Sequence, residues 1–243
     1  MTAIETTGLV KRYGGKTAVN GLDLSVEEGE LFALLGVNGA GKTTTIKMLS
    51  CLTQPTEGDA VLLGDSVVNN PKGVKAKINV SPQETAVARN LTVRENLEFI
   101  AGVYGFDKGE AKAKAEGMLT AFHLEEVAAS RAKTLSGGMQ RRLSIAMALI
   151  SEPKILFLDE PTLGLDVLAR RELWKVIEKL KGRITVILTT HYMEEAAALS
   201  DRIGVMAKGR LHAVGTAEEL IKMTGAKDFE DAFVTLATGE EQR

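Results

Sequence analysis

The residues Gly36-Val37-Asn38-Gly39-Ala40-Gly41-Lys42-Thr43-Thr44 follow the spacing G-x-x-x-x-G-K-[ST] of a phosphate-binding loop. Glycines let a backbone curl around an anion without Cβ clashes, so several N–H groups point inward. Lys42 can then reach the β and γ phosphates of a nucleoside triphosphate, while the Thr43 hydroxyl can ligate Mg²⁺. Asp159-Glu160 supplies a second acidic centre. Asp159 fits a metal-associated acid, and Glu160 fits a base that orients or activates the attacking water. His191 falls where a group touching the γ-phosphate would be needed. His123 and His212 have no such placement and read as structural or exposed.

That chemistry needs a strand before the loop and a helix after it. Residues 30–35 are an apolar run of strand length, and residues 45–52 put Ile46, Leu49 and Cys51 or Leu52 on one helical face. Cys51 therefore reads as a small buried helix residue. Residues 155–158 are four consecutive apolar residues, the pattern of a strand buried on both faces in a parallel sheet. The Asp-Glu pair emerges at its C-terminal end, where ligands of open α/β sheets collect. Residues 184–188 form a second such strand, ending just before His191.

The remainder frames this core. Residues 4–11 and 18–26 read as strands around a turn at Gly14-Gly15, followed by strands at 60–63 and 78–80. Tyr13 sits among them, and two readings fit it: an ordinary strand aromatic, or a platform for an adenine ring. The period then changes to helical. Thr92 with Glu95, and Asp107 with Glu110, form capping boxes, the first opening a helix with Val93, Leu97, Ile100, Ala101 and Tyr104 on one face. Ser136 is placed to cap a helix whose first turn holds Gly137 and Gly138. Each glycine there costs on the order of 1 kcal/mol. Close approach of a second phosphate to a helix N-terminus would explain them; a merely loose helix start is the other reading. Asp166 precedes a helix carrying Leu173, Val176, Ile177 and Leu180, stopped by Gly182. Residues 203–207 and 211–214 form a hairpin, Thr216 and Glu219 cap a following helix, and the tail holds a short helix at 229–236 with a frayed polar end.

A length of 243 residues allows a large core. Net charge −2 and pI near 6.0 give no general attraction to nucleic acid. One cysteine excludes an intramolecular disulfide and a cysteine-based zinc site. There is no signal-peptide plan and no apolar run of the roughly 18–20 residues needed to cross a bilayer, so a soluble protein is expected. Any membrane role comes through another chain.

Taken in order, the phosphate loop, Gln83, Leu135-Ser136-Gly137-Gly138-Met139-Gln140, Asp159-Glu160, Asp166 and His191 resemble the ATP-binding subunit of ABC transporters over residues 1–225. The stretch from Leu135 to Gln140 is similar to the family's signature sequence, which other phosphate-loop enzymes lack. Val37 stands where many relatives have proline. The resemblance implies an α/β fold: a P-loop NTPase core with a mainly parallel sheet, an N-terminal antiparallel β subdomain and an inserted α-helical subdomain. The core would take residues 1–83 and 151–225, the helical subdomain about 84–150, and a tail 226–243.

It also implies ATP and Mg²⁺ as ligands, the metal held by Thr43, Gln83 and Asp159. Tyr13 takes an A-loop role, Gln83 a Q-loop role, Asp166 a D-loop role and His191 the H-switch role. Two copies, identical or not, pack head to tail, with ATP between one phosphate loop and the other copy's Ser136, Gly137, Gly138 and Gln140. An integral membrane permease would be driven from the cytoplasmic face. Residues 91–97, 191–196 and 229–233 look like the export subclass that includes drug- and antibiotic-efflux ATPases, and the chain ends without the regulatory β domain of many sugar importers. An importer ATPase is the alternative within transport. A soluble relative in DNA repair, chromosome structure or translation is the alternative outside it; residues 45–134 lack the heptads, and the chain lacks the zinc cysteines and second cassette, of such relatives.

Overall fold

The computed structural model describes residues 1–239. In chain order the first elements are β1 (Thr2–Tyr13), β2 (Lys16–Glu27), β3 (Leu31–Leu35), α1 (Lys42–Leu49), β4 (Glu57–Leu62), β5 (Asp65–Ser66), α2 (Pro71–Lys75) and β6 (Ile78–Ser81). Then come α3 (Val93–Val103), α4 (Lys108–Ala121), two short 3-10 turns and α5 (Gly137–Leu149). The chain continues through β7 (Ile155–Asp159), α6 (Val167–Glu178), β8 (Thr185–Thr190), α7 (Met193–Leu199), β9 (Arg202–Ala207), β10 (Arg210–Gly215), α8 (Ala217–Thr224) and α9 (Phe229–Thr238).

Two sheets result, and their difference follows from residue patterning. In β1 and β2 buried and exposed residues roughly alternate, as expected of strands with one face on the core. They pair antiparallel in the sheet β2-β1-β4-β5. By contrast β3, β7 and β8 are buried at every position and lie inside the six-stranded sheet β10-β9-β3-β8-β7-β6. Within it only β10 runs antiparallel to its neighbour. The two-residue period of a strand divides its side chains between layers. Phe157 and Phe32 face the antiparallel sheet and α1. Leu156 and Leu158 face the helices α3, α4 and α5. Ala33 and Leu35 face α7, α8 and α9.

Capping chemistry sets several helix starts. Thr92, Asp107 and Thr216 each close a reciprocal box with Glu95, Glu110 and Glu219.

Some local expectations fail for identifiable reasons. Helix α1 ends at Leu49, and Leu52 N and Thr53 N turn back onto Lys47 O at 2.8 and 3.0 Å. Cys51 therefore lies outside the helix, half-buried with φ 56°, and Leu52 points to solvent. Leu63 leaves β4 at φ 47°. Tyr104 is the C-cap of α3 rather than part of its buried face, with its hydroxyl accepting from Asn79 Nδ2 at 2.9 Å. Helix α6 stops before Gly182, whose N–H binds Gly29 O. The tail helix α9 runs to Thr238 and packs Ala232 and Phe233 into the core. The frayed polar end expected beyond it falls at 240–243, outside the described residues.

Candidate functional site

Strand order assembles the site. Strands β3, β8, β7 and β6 are parallel neighbours, so their C-terminal ends lie side by side. Those ends deliver the glycine loop, His191, Asp159-Glu160 and the segment holding Gln83. A cavity of about 410 Å³ opens there, lined by residues 38–44, Gln83, Glu160 and His191, and also by Lys16, Ala18 and Leu163. Two glycines are sterically required. Gly41 caps α1 at φ 110°, and a Cβ there would stand 2.6 Å from Ala18 O. A Cβ on Gly36 would stand 2.3 Å from Met206 O.

Charge is concentrated in a water-poor wall. The side chains of Lys42 and Glu160 are nearly buried, and Lys42 Nζ lies 3.1 Å from Glu160 Oε1. Lys42 also donates to Gly36 O at 2.6 Å and lies 3.4 Å from Val37 O, so these two loop residues meet the lysine rather than the cavity lumen. The other Glu160 oxygen is 2.7 Å from His191 Nδ1. Asp159 Oδ1 accepts from Thr43 Oγ1 at 3.1 Å and from Thr189 Oγ1 at 2.6 Å. Glu160 itself sits at φ 48°, a conformation that costs a non-glycine residue roughly 1–3 kcal/mol. The N–H of Glu160, bonded to Thr189 O at 3.1 Å, helps hold it there.

A buried arginine ties these loops together. Arg141 on α5 donates to Pro161 O at 2.7 Å, Asp159 O at 2.9 Å, Glu160 O at 2.6 Å and Pro82 O. One guanidinium thus spans the carboxylate loop and the start of the Gln83 segment. Burial lowers its pKa to about 10, against the attraction of Asp159, Glu195 and Glu160. Sequence reading left Arg141 out, as it did Thr189, Lys16, Ala18 and Leu163. The available signal was phase: Arg141 is in register with the buried Ile145 and Ala148 of α5, an unusual place for an unpaired charge.

Other sequence candidates stand apart from the cavity. Tyr13 is 49% exposed at the end of β1, with Lys11 Nζ 5.1 Å from its ring centroid. Ser136 and Gly137 are exposed and Gly138 half-buried at the N-terminus of α5. Ser136 Oγ accepts from Met139 N at 3.3 Å, and Gln140 Nε2 donates to Leu135 O at 3.1 Å. Asp166 Oδ1 caps α6 through the N–H groups of Leu168 and Ala169, both at 2.9 Å.

Comparison with known families matches residues 19–163 to the family described as "ABC transporter". The chain belongs to this family. Among its ABC relatives, the daunorubicin/doxorubicin resistance ATP-binding protein DrrA of Streptomyces peucetius is 44% identical over 225 residues, 92% of this chain and 68% of the relative. The Nod factor export ATP-binding protein I of Burkholderia orbicola is 43% identical over 220 residues, 90% of this chain and 72% of the relative. Among solved structures, a dimeric ATP-binding cassette in a post-hydrolysis state with ADP and Pi superimposes with a TM-score of 0.78 at 26% identity, covering 88% of this chain and 98% of that one. This ABC chain is an ATP-binding domain and an ATPase. Among the described residues no helix is long and apolar enough to cross a membrane.

Proposed function

We propose that this chain hydrolyses ATP to power export through a separate membrane permease, acting from the cytoplasmic face as one half of a closing dimer. The observation that carries the reading is that the anion-directed elements stand on two faces. The phosphate loop, Glu160 and His191 share one cavity, whereas Ser136-Gly137-Gly138 lies outside it, with Ser136 and Gly137 open to solvent. One chain therefore presents half of a nucleotide sandwich twice over, once with each face. A second copy, or a similar subunit, would place its glycines over the first copy's triphosphate. Because ATP would touch both faces only when closed, it shifts the population toward closure, and cleavage reverses the shift.

Within the cavity the loop amides and Lys42 hold the β and γ phosphates. Once Lys42 has turned from Glu160 Oε1 to the phosphates, that oxygen accepts a proton from the attacking water, while His191 steadies Oε2. Gln83 and Thr43 complete the wall on the phosphate side, and Tyr13 offers an exposed ring for adenine. The paired oxygens of Thr43 and Asp159 suit Mg²⁺, which prefers hard oxygen donors and needs few from protein. When bound, that ion neutralises charge on the β and γ phosphates.

The permease would dock on α3. Phe99, Val103 and Tyr104 are 58%, 64% and 48% exposed, next to a groove lined by Asn79, Pro82, Ile100 and Met147 at the foot of the Gln83 segment. That groove would connect the nucleotide site to the membrane partner. Export follows the functions named for the two relatives, resistance to daunorubicin and doxorubicin and Nod factor export. Pull-down from native membranes tests the proposal: an integral membrane protein is expected to co-purify, and recovery of ribosomes or DNA in its place would overturn it.

A further inference from the structure

His191 is gripped from behind by groups that the reaction scheme above leaves unused. Its ring lies 4.1 Å from that of Tyr192, centroid to centroid, at 39° between planes. The guanidinium of Arg170 covers the Tyr192 ring, with its carbon 4.4 Å from the centroid. One turn further along α6, Trp174 Nε1 donates to Glu195 Oε1 at 3.0 Å. Glu195, in the first turn of α7, is fully buried. Burial pushes its pKa up, partly opposed by the nearby Thr190, Thr162 and Trp174. The Thr162 hydroxyl and Glu195 Oε2 nevertheless fall outside regular hydrogen-bond geometry, leaving the Trp174 contact as the defined tie.

Helix α6 begins immediately after Asp166, at the end of the loop that leaves Glu160. Beyond the buried Pro161 and Thr162, that loop and the first residues of the helix open to solvent at Leu163, Val167 and Leu168. The same helix that starts on this open surface therefore touches the segment after β8 at two points, Arg170 on Tyr192 and Trp174 on Glu195.

We infer that Arg170, Trp174, Tyr192 and Glu195 are positioning residues that set the His191 ring against Glu160, making the placement of α6 the control on the hydrolytic pair. The inference rests on the proposed roles of Glu160 and His191. Arg170 packs on the Tyr192 ring, and that ring packs in turn on the His191 imidazole. Trp174 and Glu195 fix where α7 begins, and with it the backbone from which both rings project. A cation over an aromatic face is directional enough to hold a ring plane, and it needs no further partner for the ring. Any push on the exposed start of α6 would be felt at His191 Nδ1, 2.7 Å from Glu160 Oε2.

The test is a double-mutant cycle on the full-length protein, read as ATPase kcat, KM and ATP affinity. Tyr192→Ala is expected to lower kcat roughly ten- to hundred-fold, the range for a catalytic group displaced by about an ångström. ATP affinity should stay within about two-fold, since no phosphate-binding group is moved. Tyr192→Phe, which keeps the ring, should recover most of the rate. Arg170→Met removes the cation from the Tyr192 ring and should reproduce the kcat loss with nucleotide binding kept. In a His191→Ala background, Tyr192→Ala should add almost nothing, because its effect runs through the imidazole. An equal loss in both backgrounds would overturn the inference while leaving the site assignment standing. Full activity of His191→Ala alone would overturn both.

Discussion

The cavity wall and the α5 N-terminus are both glycine-bearing elements to which the proposal assigns phosphate, yet they are built in opposite ways. In the wall, Lys42, Asp159 and Glu160 are nearly buried and tied to one another, to Thr43, Thr189 and His191, and through backbone carbonyls to Arg141. At α5, Ser136 makes one capping bond, Gly137 faces solvent and Gly138 is half-buried. Burial strengthens charge interactions and fixes geometry, which suits the face where bonds break. An open helix end is cheap to expose and easy to engage, which suits a face completed by another chain. The difference teaches that preorganisation has been concentrated on one side of the proposed sandwich.

Substitutions that separate the two regions come in descending size. Glu160→Gln keeps the shape of the wall and removes the proposed base. Its steady-state ATPase rate should fall on the order of 10³-fold with ATP binding retained; turnover near the wild-type rate would mean that Glu160 is not the base. Arg141→Met leaves several buried carbonyls without a donor, and thermal unfolding should report a loss of about 3 kcal/mol. A Tm shift under 2 °C would show that the clamp contributes little, because for a chain this size 1 kcal/mol moves Tm by roughly 2–4 °C. Lys42→Ala removes a charge-assisted contact to phosphate worth about 1.5–3 kcal/mol, so ATP affinity measured by calorimetry should drop ten-fold or more. Unchanged affinity would contradict the phosphate-loop reading. Ser136→Ala deletes only a helix cap, and chemical denaturation should show a loss of about 1 kcal/mol with single-chain ATP affinity intact.

Legibility in the sequence divides along similar lines. The phosphate loop, the buried strands and the capped helices could be read because each is written in adjacent residues: Gly36 to Thr44, Ile155 to Leu158, Thr92 with Glu95. The fold class followed from them and from the family resemblance. Arg141 was not legible, because its carbonyl partners on Pro82 and Pro161 lie 59 and 20 residues away and backbone acceptors leave no side-chain signature. Glu195 was hidden for a related reason. It reads as one more polar residue in an acidic first turn, and only the packing of α6 against α7 shows that it is buried on Trp174. Cys51 misled because helical periodicity continues past Leu49 although the backbone does not. Tyr13 remained ambiguous in sequence, and in the structure it stands at an exposed strand end while Lys16 and Ala18 line the cavity nearby.

The central claim is that nucleotide joins two incomplete faces, and light scattering on Glu160→Gln with saturating ATP and Mg²⁺ addresses it most directly. The mass should double on adding nucleotide, and should stay that of one chain when Ser136→Arg is introduced as well. A single-chain mass for Glu160→Gln under those conditions, or a dimer that survives Ser136→Arg, would contradict it.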